Sequence, residues 1–538
     1  VRLLPLLLLV GCAAEGPATS GALVDAAGHL WAATEGGLGT AAGVVVREGE
    51  PAGVAPWGDG VAVSLRTEGA VAFLDADGVE FARVAVGAEP TGVVGGTSLT
   101  VAASLSDEVV RLDEDGVLER LAAPGEPRWL ARAQGWIFVA GARSRTLLWG
   151  GRPLRPLAPP RVEADADGQA LSWTPRFTGD PAVSPGGDEV VFPLLYVNHS
   201  VPVGSGGYDR VAGEPRFRPA LWRVHVDGRG PVDRGLVELR PVRGEDGVLR
   251  GGLVSSVAFS PDGRLAAALG TGDGLLVLDW PGGEPELTVV PGGPSGVAWS
   301  DGWWVLAGRA GRVDGVDGGG WSAAAPLHPE HAEGRRLFET SADVAISGPG
   351  SGLSCSTCHI EGRTDGLTWA LGAGPRQTPS LAGPTSDTTP LTWTGAVGSV
   401  AVRALETSAR RMGGLSLSAD QADAVAGWID AIRAPVLPAV DEAAAARGRL
   451  LFEDPVVGCA DCHPAPTFAD GQAHSLFGLK AVDTPSLRGV AATPPYIHDG
   501  SSPTLSSVLD RSRRGDMGDT GGLDAGELAD LEAWLRSL

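Results

Sequence analysis

Two kinds of hydrophobic spacing divide the chain. From residue 21 to residue 325 the apolar positions fall in short runs rich in Val, Leu and Ala, broken at close intervals by Gly, Pro, Asp-Gly and Ser-Pro. Short apolar runs bounded by turn residues predict strands joined by hairpins. Beyond residue 325 the spacing lengthens to the three- and four-residue steps of helices. Ser418 to Arg433 repeats Ala422, Val425, Ile429 and Ile432 at helical spacing, and opens with Ser418 and Gln421 three apart. That pair is a capping box, in which each residue's side chain bonds the other's backbone N–H at a helix start. Asp524 to Leu538 repeats the design, with Leu528, Leu531, Leu535 and Leu538 behind Asp524 and Glu527. Pro435 ends the first of these helices and begins a short linker.

The strand-rich part repeats itself loosely. Val257–Leu269 is followed by Gly274–Asp279, and related pieces stand at Ala182–Gly187, Val71–Gly78, Val110–Gly116 and Val297–Gly302. The period is irregular, roughly forty residues, the length of a four-stranded propeller blade. Residues 21–325 are therefore predicted to form an all-β propeller of about seven blades. Each blade would bury its apolar faces against its neighbours, so closing the ring supplies the contacts a single blade lacks. The Asp-Gly pieces fit hairpin turns better than calcium loops, which need more oxygen ligands at regular spacing. His29, His199 and His225 are too scattered to hold copper or haem. This region reads as a scaffold or docking surface, and Val197 to Pro219 as a long insertion suited to contacts.

The chemistry lies in the helical part. Cys355, Cys358 and His359 form one Cys-x-x-Cys-His run, and Cys459, Cys462 and His463 form a second. Each is the attachment pattern of a c-type haem: two thiols for thioether bonds and an adjacent His to ligate iron. A zinc site would bring two Cys pairs to one metal without requiring a His after each. A redox dithiol would not need that His in both copies. The chain has only two methionines, Met412 and Met517, standing 53 residues after His359 and 54 after His463. A thioether is a soft, neutral ligand that favours ferrous iron. The cofactor prediction is thus two covalently bound haems c, with His359 and Met412 on one iron and His463 and Met517 on the other.

The two segments match beyond the ligands. Gly334–Phe338 answers Gly448–Phe452, Thr378–Leu381 answers Thr484–Leu487, and Trp428 answers Trp534. Each half, 326–436 and 437–538, resembles a class I cytochrome c domain. The resemblance implies an all-α fold in which Gly334 with Phe338, and Gly448 with Phe452, cross the closing helix near Trp428 and Trp534. As a tandem, the region resembles the di-haem cytochrome c peroxidase and MauG-like family, most closely along Thr484–Val490 and Pro495–Gly500. The strand-rich pieces resemble the YVTN/NHL-like propeller repeats fused to such cytochromes. Peroxide chemistry requires an iron with an open or displaceable sixth position and distal acid–base groups. Leu391–Ala396 lacks the Asp and Arg that the family often carries there, and no His lies between His359 and His463. Both irons therefore read as six-coordinate electron carriers; the alternative is a peroxidase or MauG-like oxidase that reduces hydrogen peroxide. Carbonyls around Pro379 and Pro485 are candidates to orient the proximal histidines. Arg376 and Arg488 are candidates for haem propionate contacts. His498 stands either near the second haem or in a hairpin, and His474 is assigned no role.

Residues 1–20 read as a leader and tether. Arg2 precedes an apolar run too short to span a bilayer, and Leu9–Cys12 resembles a bacterial lipobox. The expectation is a lipid-anchored protein modified at Cys12, facing the periplasm at the outer membrane of the cell envelope. The formal net charge of −23 argues against nucleic acid as a partner and suits a basic redox protein such as a cytochrome.

Overall fold

The computed structural model describes residues 18–19, 21–150, 152–154, 173–203, 207–208, 210–211, 214–326, 328–372 and 374–538. Cys12 and the predicted leader lie outside them. The chain forms two compact units. Of the described residues, one holds those up to 198, from 210 to 329 and from 339 to 354; the other holds those from 199 to 208, from 330 to 338 and from 355 to 538.

The first unit is a seven-bladed β-propeller. Seven antiparallel sheets follow one another, each built on four strands that run in chain order. Ala18–Thr19 adds an extra strand to the fourth blade, with Ala18 opposite Arg132. Within a blade the sequence grades from apolar to polar. In the second blade, Gly60–Leu65 is buried at every position, whereas the outermost strand, Glu80–Ala85, has no buried residue. Blades are joined by hydroxyl groups that reach a neighbouring blade's first strand. Ser64 donates to the Thr91 carbonyl at 2.5 Å, Ser104 to Pro127 at 2.6 Å, Thr178 to Val254 at 2.8 Å and Ser255 to Pro294 at 2.5 Å. The ring closes in a core shared by Leu23 and Ala32 of the first blade and Ala298, Leu306 and Val313 of the seventh. Gly36 and Gly39 make that closure feasible, because a Cβ would lie 2.0 Å from the Ala325 carbonyl oxygen and 2.1 Å from that of Ala323. The Asp-Gly pieces are turns. Asp75 Oδ1 accepts the N–H groups of Asp77 and Val79, and Asp113 Oδ1 those of Asp115 and Gly116.

The second unit carries the helices: α1 (Ala332–Glu339), α2 (Cys355–Cys358), α3 (Val400–Arg410), α4 (Ala419–Ala431), α5 (Glu442–Phe452), α6 (Leu505–Ser512) and α7 (Ala525–Arg536). Both predicted capping boxes are formed, Ser418 with Gln421 and Asp524 with Glu527. In each repeat the first and last helices cross backbone to backbone. A Cβ on Gly334 would lie 1.9 Å from the Ala424 carbonyl oxygen of α4, and one on Gly448 1.9 Å from that of Asp530 on α7. The residue after each glycine covers the facing indole: Arg335 stands 5.0 Å from Trp428, and Arg449 5.7 Å from Trp534. The second repeat packs Phe452, Leu505, Leu509, Leu531 and Leu535 into one core, with Phe468 and Trp534 edge-on to Phe452. Each repeat also holds a short hairpin that helical periodicity does not announce. Thr368–Leu371 pairs with Gly374–Gln377, and Ala473–Leu476 with Leu479–Asp483.

Candidate haem-binding site

Cys355 and Cys358 sit three residues apart on the single turn of α2, which puts both side chains on one side. The peptide N–H of His359 bonds the Cys355 carbonyl at 2.9 Å, and that of His463 bonds Cys459 at 3.0 Å, so both motifs close with the same turn. None of these four cysteines is joined in a disulfide. Burial pushes the Cys355 thiol up to about 12 and, with Cys462 and Asp461 adding, the Cys459 thiol to about 11. Cys462 is raised by burial, Asp470 and Asp461. A redox dithiol works through a depressed thiol pKa, the opposite of this environment. Nor do the pairs share a metal. Among the described residues, the group of three or more potential ligands drawn within 4.8 Å is Cys462, Asp470 and His474, which takes one cysteine from one pair.

Both imidazoles are held neutral. Burial lowers His359 to about 4, against the carbonyls of Arg363 and Pro379, and Arg403 of α3 lowers it further. Burial also lowers His463. His463 Nδ1 lies 2.8 Å from the Phe468 carbonyl oxygen. The N–H placed there leaves the Nε2 lone pair for a metal. The expected acceptor near Pro485 is thus replaced by Phe468. The turn after the motif brings that carbonyl back to the ring, and the Thr484–Leu487 run instead braces the turn: Ser486 Oγ donates to Thr467 at 2.7 Å. In the first repeat the Pro379 carbonyl acts on the ring, but the expected hydrogen bond to Nδ1 is not formed.

Met412 is buried just beyond α3, the helix whose Arg403 acts on His359. Met517 is half-buried in a loop that returns to the second motif. Asp519 N–H bonds the Val457 carbonyl at 2.8 Å, and a Cβ on Gly518 would lie 3.5 Å from Cys459 Sγ. Arg376 is buried and donates to its neighbour's carbonyl, that of Pro375. Arg488 is half-buried, with Nε donating to Pro466 and Nη1 3.5 Å from Asp387. His498 joins the two repeats. Its Nε2 lies 2.7 Å from the Asp483 carbonyl oxygen, and its ring stands edge-on to Trp393 at 4.9 Å. His474, which the sequence left without a role, pairs with Asp470 at 2.7 Å beside Cys462.

Asp483 gives a pH prediction. Burial, with Asp470 adding and His474 opposing, raises its carboxyl from 3.8 to about 6. The fold therefore keeps a proton that the unfolded chain has lost. The stability this contributes is fully present below 3.8 and lost as pH rises through about 6. Asp483→Asn cannot ionise, and denaturant midpoints measured across that window are expected to lose this part of their slope.

The donor set fits a covalently attached haem c: a pair of thiols and an imidazole lowered by burial in each repeat. The second unit also buries polar atoms with no protein partner at equivalent places, Trp428 Nε1 and Trp534 Nε1, besides His359 Nδ1.

Residues 482–517 match the family described as RoxA-like, cytochrome c-like. The methylamine utilization protein MauG of Methylorubrum extorquens is 31% identical over 257 residues, which cover 36% of this chain and 71% of that protein. The hydrazine synthase gamma subunit of Kuenenia stuttgartiensis is 30% identical over 141 residues, 17% of this chain and 40% of the subunit. A solved MauG-like protein associated with microbial copper homeostasis is 26% identical, covering 40% of this chain and 89% of that one at a TM-score of 0.31.

Proposed function

We propose that this chain, which belongs to the MauG-like family of di-haem cytochromes and carries a β-propeller ahead of its cytochrome region, relays electrons through two haems c, each held by a histidine and a methionine. The observation that carries this reading is the placement of the two methionines. One is buried just beyond the helix whose Arg403 acts on His359, and the other lies in a loop folded back on Cys459.

Once attached, each haem supplies an iron that cycles between ferric and ferrous states. The protein's part is to hold that iron's surroundings constant through the cycle. Phe468 orients His463 and burial favours the neutral form of both imidazoles; with haem attached, Met412 and Met517 would hold the irons through neutral thioethers, which would favour the ferrous form and raise the potential. One observation favours a second reading, peroxide reduction at the first iron. The Trp393–Gly395 loop lacks the family's acid, but a Cβ on Gly395 would lie 3.1 Å from Asp483 Oδ1, and that carboxyl is raised to about 6. A protonated carboxyl there is suited to act as an acid near neutral pH.

Visible absorption separates the readings. Met412→Ala and Met517→Ala are each expected to remove half of the far-red band of methionine bound to ferric haem, and the double variant all of it. Spectra unchanged in both single variants would sink the ligand assignment. We further propose an envelope location with lipid on Cys12 and a basic redox partner, motivated by the lipobox-like Leu9–Cys12 run and the net charge of −23. Cys12→Ala is expected to shift the pigmented protein from the membrane to the soluble fraction; pigment that stays membrane-bound would contradict the anchor.

A further inference from the structure

One segment of the second unit comes from the middle of a propeller blade in sequence. Residues 199–208 follow the strand Glu189–Val197 and precede the strand Phe217–Asp227, yet they belong to the unit that holds the helices. The segment starts by bonding backbone to backbone with the first repeat's hairpin. Ala370 N–H bonds the His199 carbonyl at 2.9 Å, Val203 N–H bonds the Ala370 carbonyl at 2.9 Å, and His199 Nδ1 lies 2.8 Å from the Thr368 carbonyl oxygen. Val203 and Leu371 form a parallel bridge.

Its far end meets the loop of Met412. Tyr208 N–H donates to the Arg411 carbonyl at 2.5 Å. Arg411 closes the C-terminus of α3, where carbonyls lack partners within the helix, and it is the residue directly before Met412. The Tyr208 ring stands edge-on to Trp369 at 5.5 Å, and the His199 ring stands 6.3 Å from the same indole. Trp369 is buried and anchored through Nε1 to Thr378 Oγ1 at 3.2 Å. Gly207 has a φ of 69°, and a Cβ there would lie 2.4 Å from the Arg411 carbonyl oxygen. Glycine is thus required both by the backbone angle and by the close approach.

We infer that His199, Gly207 and Tyr208 act as positioning residues that fix the Met412 loop, so that the first iron keeps its sixth ligand only while they stay docked. The inference rests on the reading of Met412 as that ligand. A ligand displaced by about 1 Å is a ligand largely lost, because bonding to a metal depends on the shell that supports the donor. The strap supplies that support to Met412; Met517 has its own, from Val457. The arrangement also separates the two irons. A perturbation of the strap should open the first and leave the second unchanged.

The test uses the full-length protein with haem attached, read by the far-red methionine band, the ferric spin state and potentiometry. Gly207→Val and Tyr208→Pro are expected to lose half of the band, convert one haem to high spin and shift one of the two potentials. Tyr208→Phe keeps the N–H and the ring and is expected to match the wild type. His199→Leu, a milder change at the other end, is expected to lose part of the same half and decides the matter if Tyr208→Pro misfolds. The Met517 half of the band, retained throughout, reports that the second repeat is intact. Met412→Ala is the control. If it leaves the band whole, the ligand reading fails and the strap role with it. If it removes half while Gly207→Val and His199→Leu remove none, the ligand reading stands and the strap inference is overturned.

Discussion

Replacing Cys459 and Cys462 together with alanine is expected to cut covalently bound haem from two per chain to one. The second motif closes on itself through the His463-to-Cys459 bond, and its cysteines join in no disulfide. Nothing in the first repeat can replace them, because the first motif is built on its own turn, α2, with its own histidine. The same variant should weaken the second repeat. Cys459 and Ala460 pack against the core of Phe452, Leu509 and Leu531, and an interior that loses a large apolar group loses contacts over its whole surface. Reduced pyridine haemochrome per chain, with intact mass under denaturing conditions, measures the outcome. Two haems retained, or none, would contradict the assignment of one haem to each motif.

Gly448→Ala is expected to destabilise the second repeat by up to about 2 kcal/mol, the balance of an overpacking cost of about 1–3 kcal/mol against a gain of about 1 kcal/mol in helix propensity. The sign is the informative part. On an open helix face the exchange would stabilise. Here the added carbon would stand 1.9 Å from the Asp530 carbonyl oxygen, 2.5 Å from its carbon and 2.9 Å from the Leu531 nitrogen. All three are backbone atoms of α7, which cannot rotate aside as a side chain could. The helices must separate, which also strains the Arg447–Asp530 pair at 2.6 Å and the stack of Arg449 on Trp534. Gly334 meets Ala424 in the same way, so Gly334→Ala should behave alike in the first repeat. Denaturant unfolding followed by helix signal and by haem absorbance reads the change. A stabilised Gly448→Ala variant would show that the crossing is looser than described.

Much of this was legible in the chain because it is local. The capping boxes, the apolar faces of α4 and α7 and the two haem motifs each depend on residues a few positions apart, whereas the glycine crossings, which join helices distant in the chain, are legible only through the resemblance to class I cytochromes. The blades were legible as a repeat, since each hairpin carries its own turn residues. What stayed hidden depends on backbone groups or distant partners. The Phe468 carbonyl that orients His463 has no side-chain signature, and the sequence points instead to the carbonyls around Pro485. The hairpin strands, four or five residues long, are too short to show a period. His474 beside Asp470, and His498 between Asp483 and Trp393, acquire meaning only when loops far apart in sequence meet. The insertion at Val197–Pro219 stood out by composition, but its docking on the Arg411 carbonyl did not.

The electron paramagnetic resonance spectrum of the oxidised and half-reduced protein tests the electron-relay reading most directly, because it counts irons by what occupies their sixth position. Two low-spin ferric signals, one lost on half-reduction while the other stays low-spin, and neither altered by hydrogen peroxide, are the predicted result. A high-spin ferric signal that hydrogen peroxide discharges would contradict it.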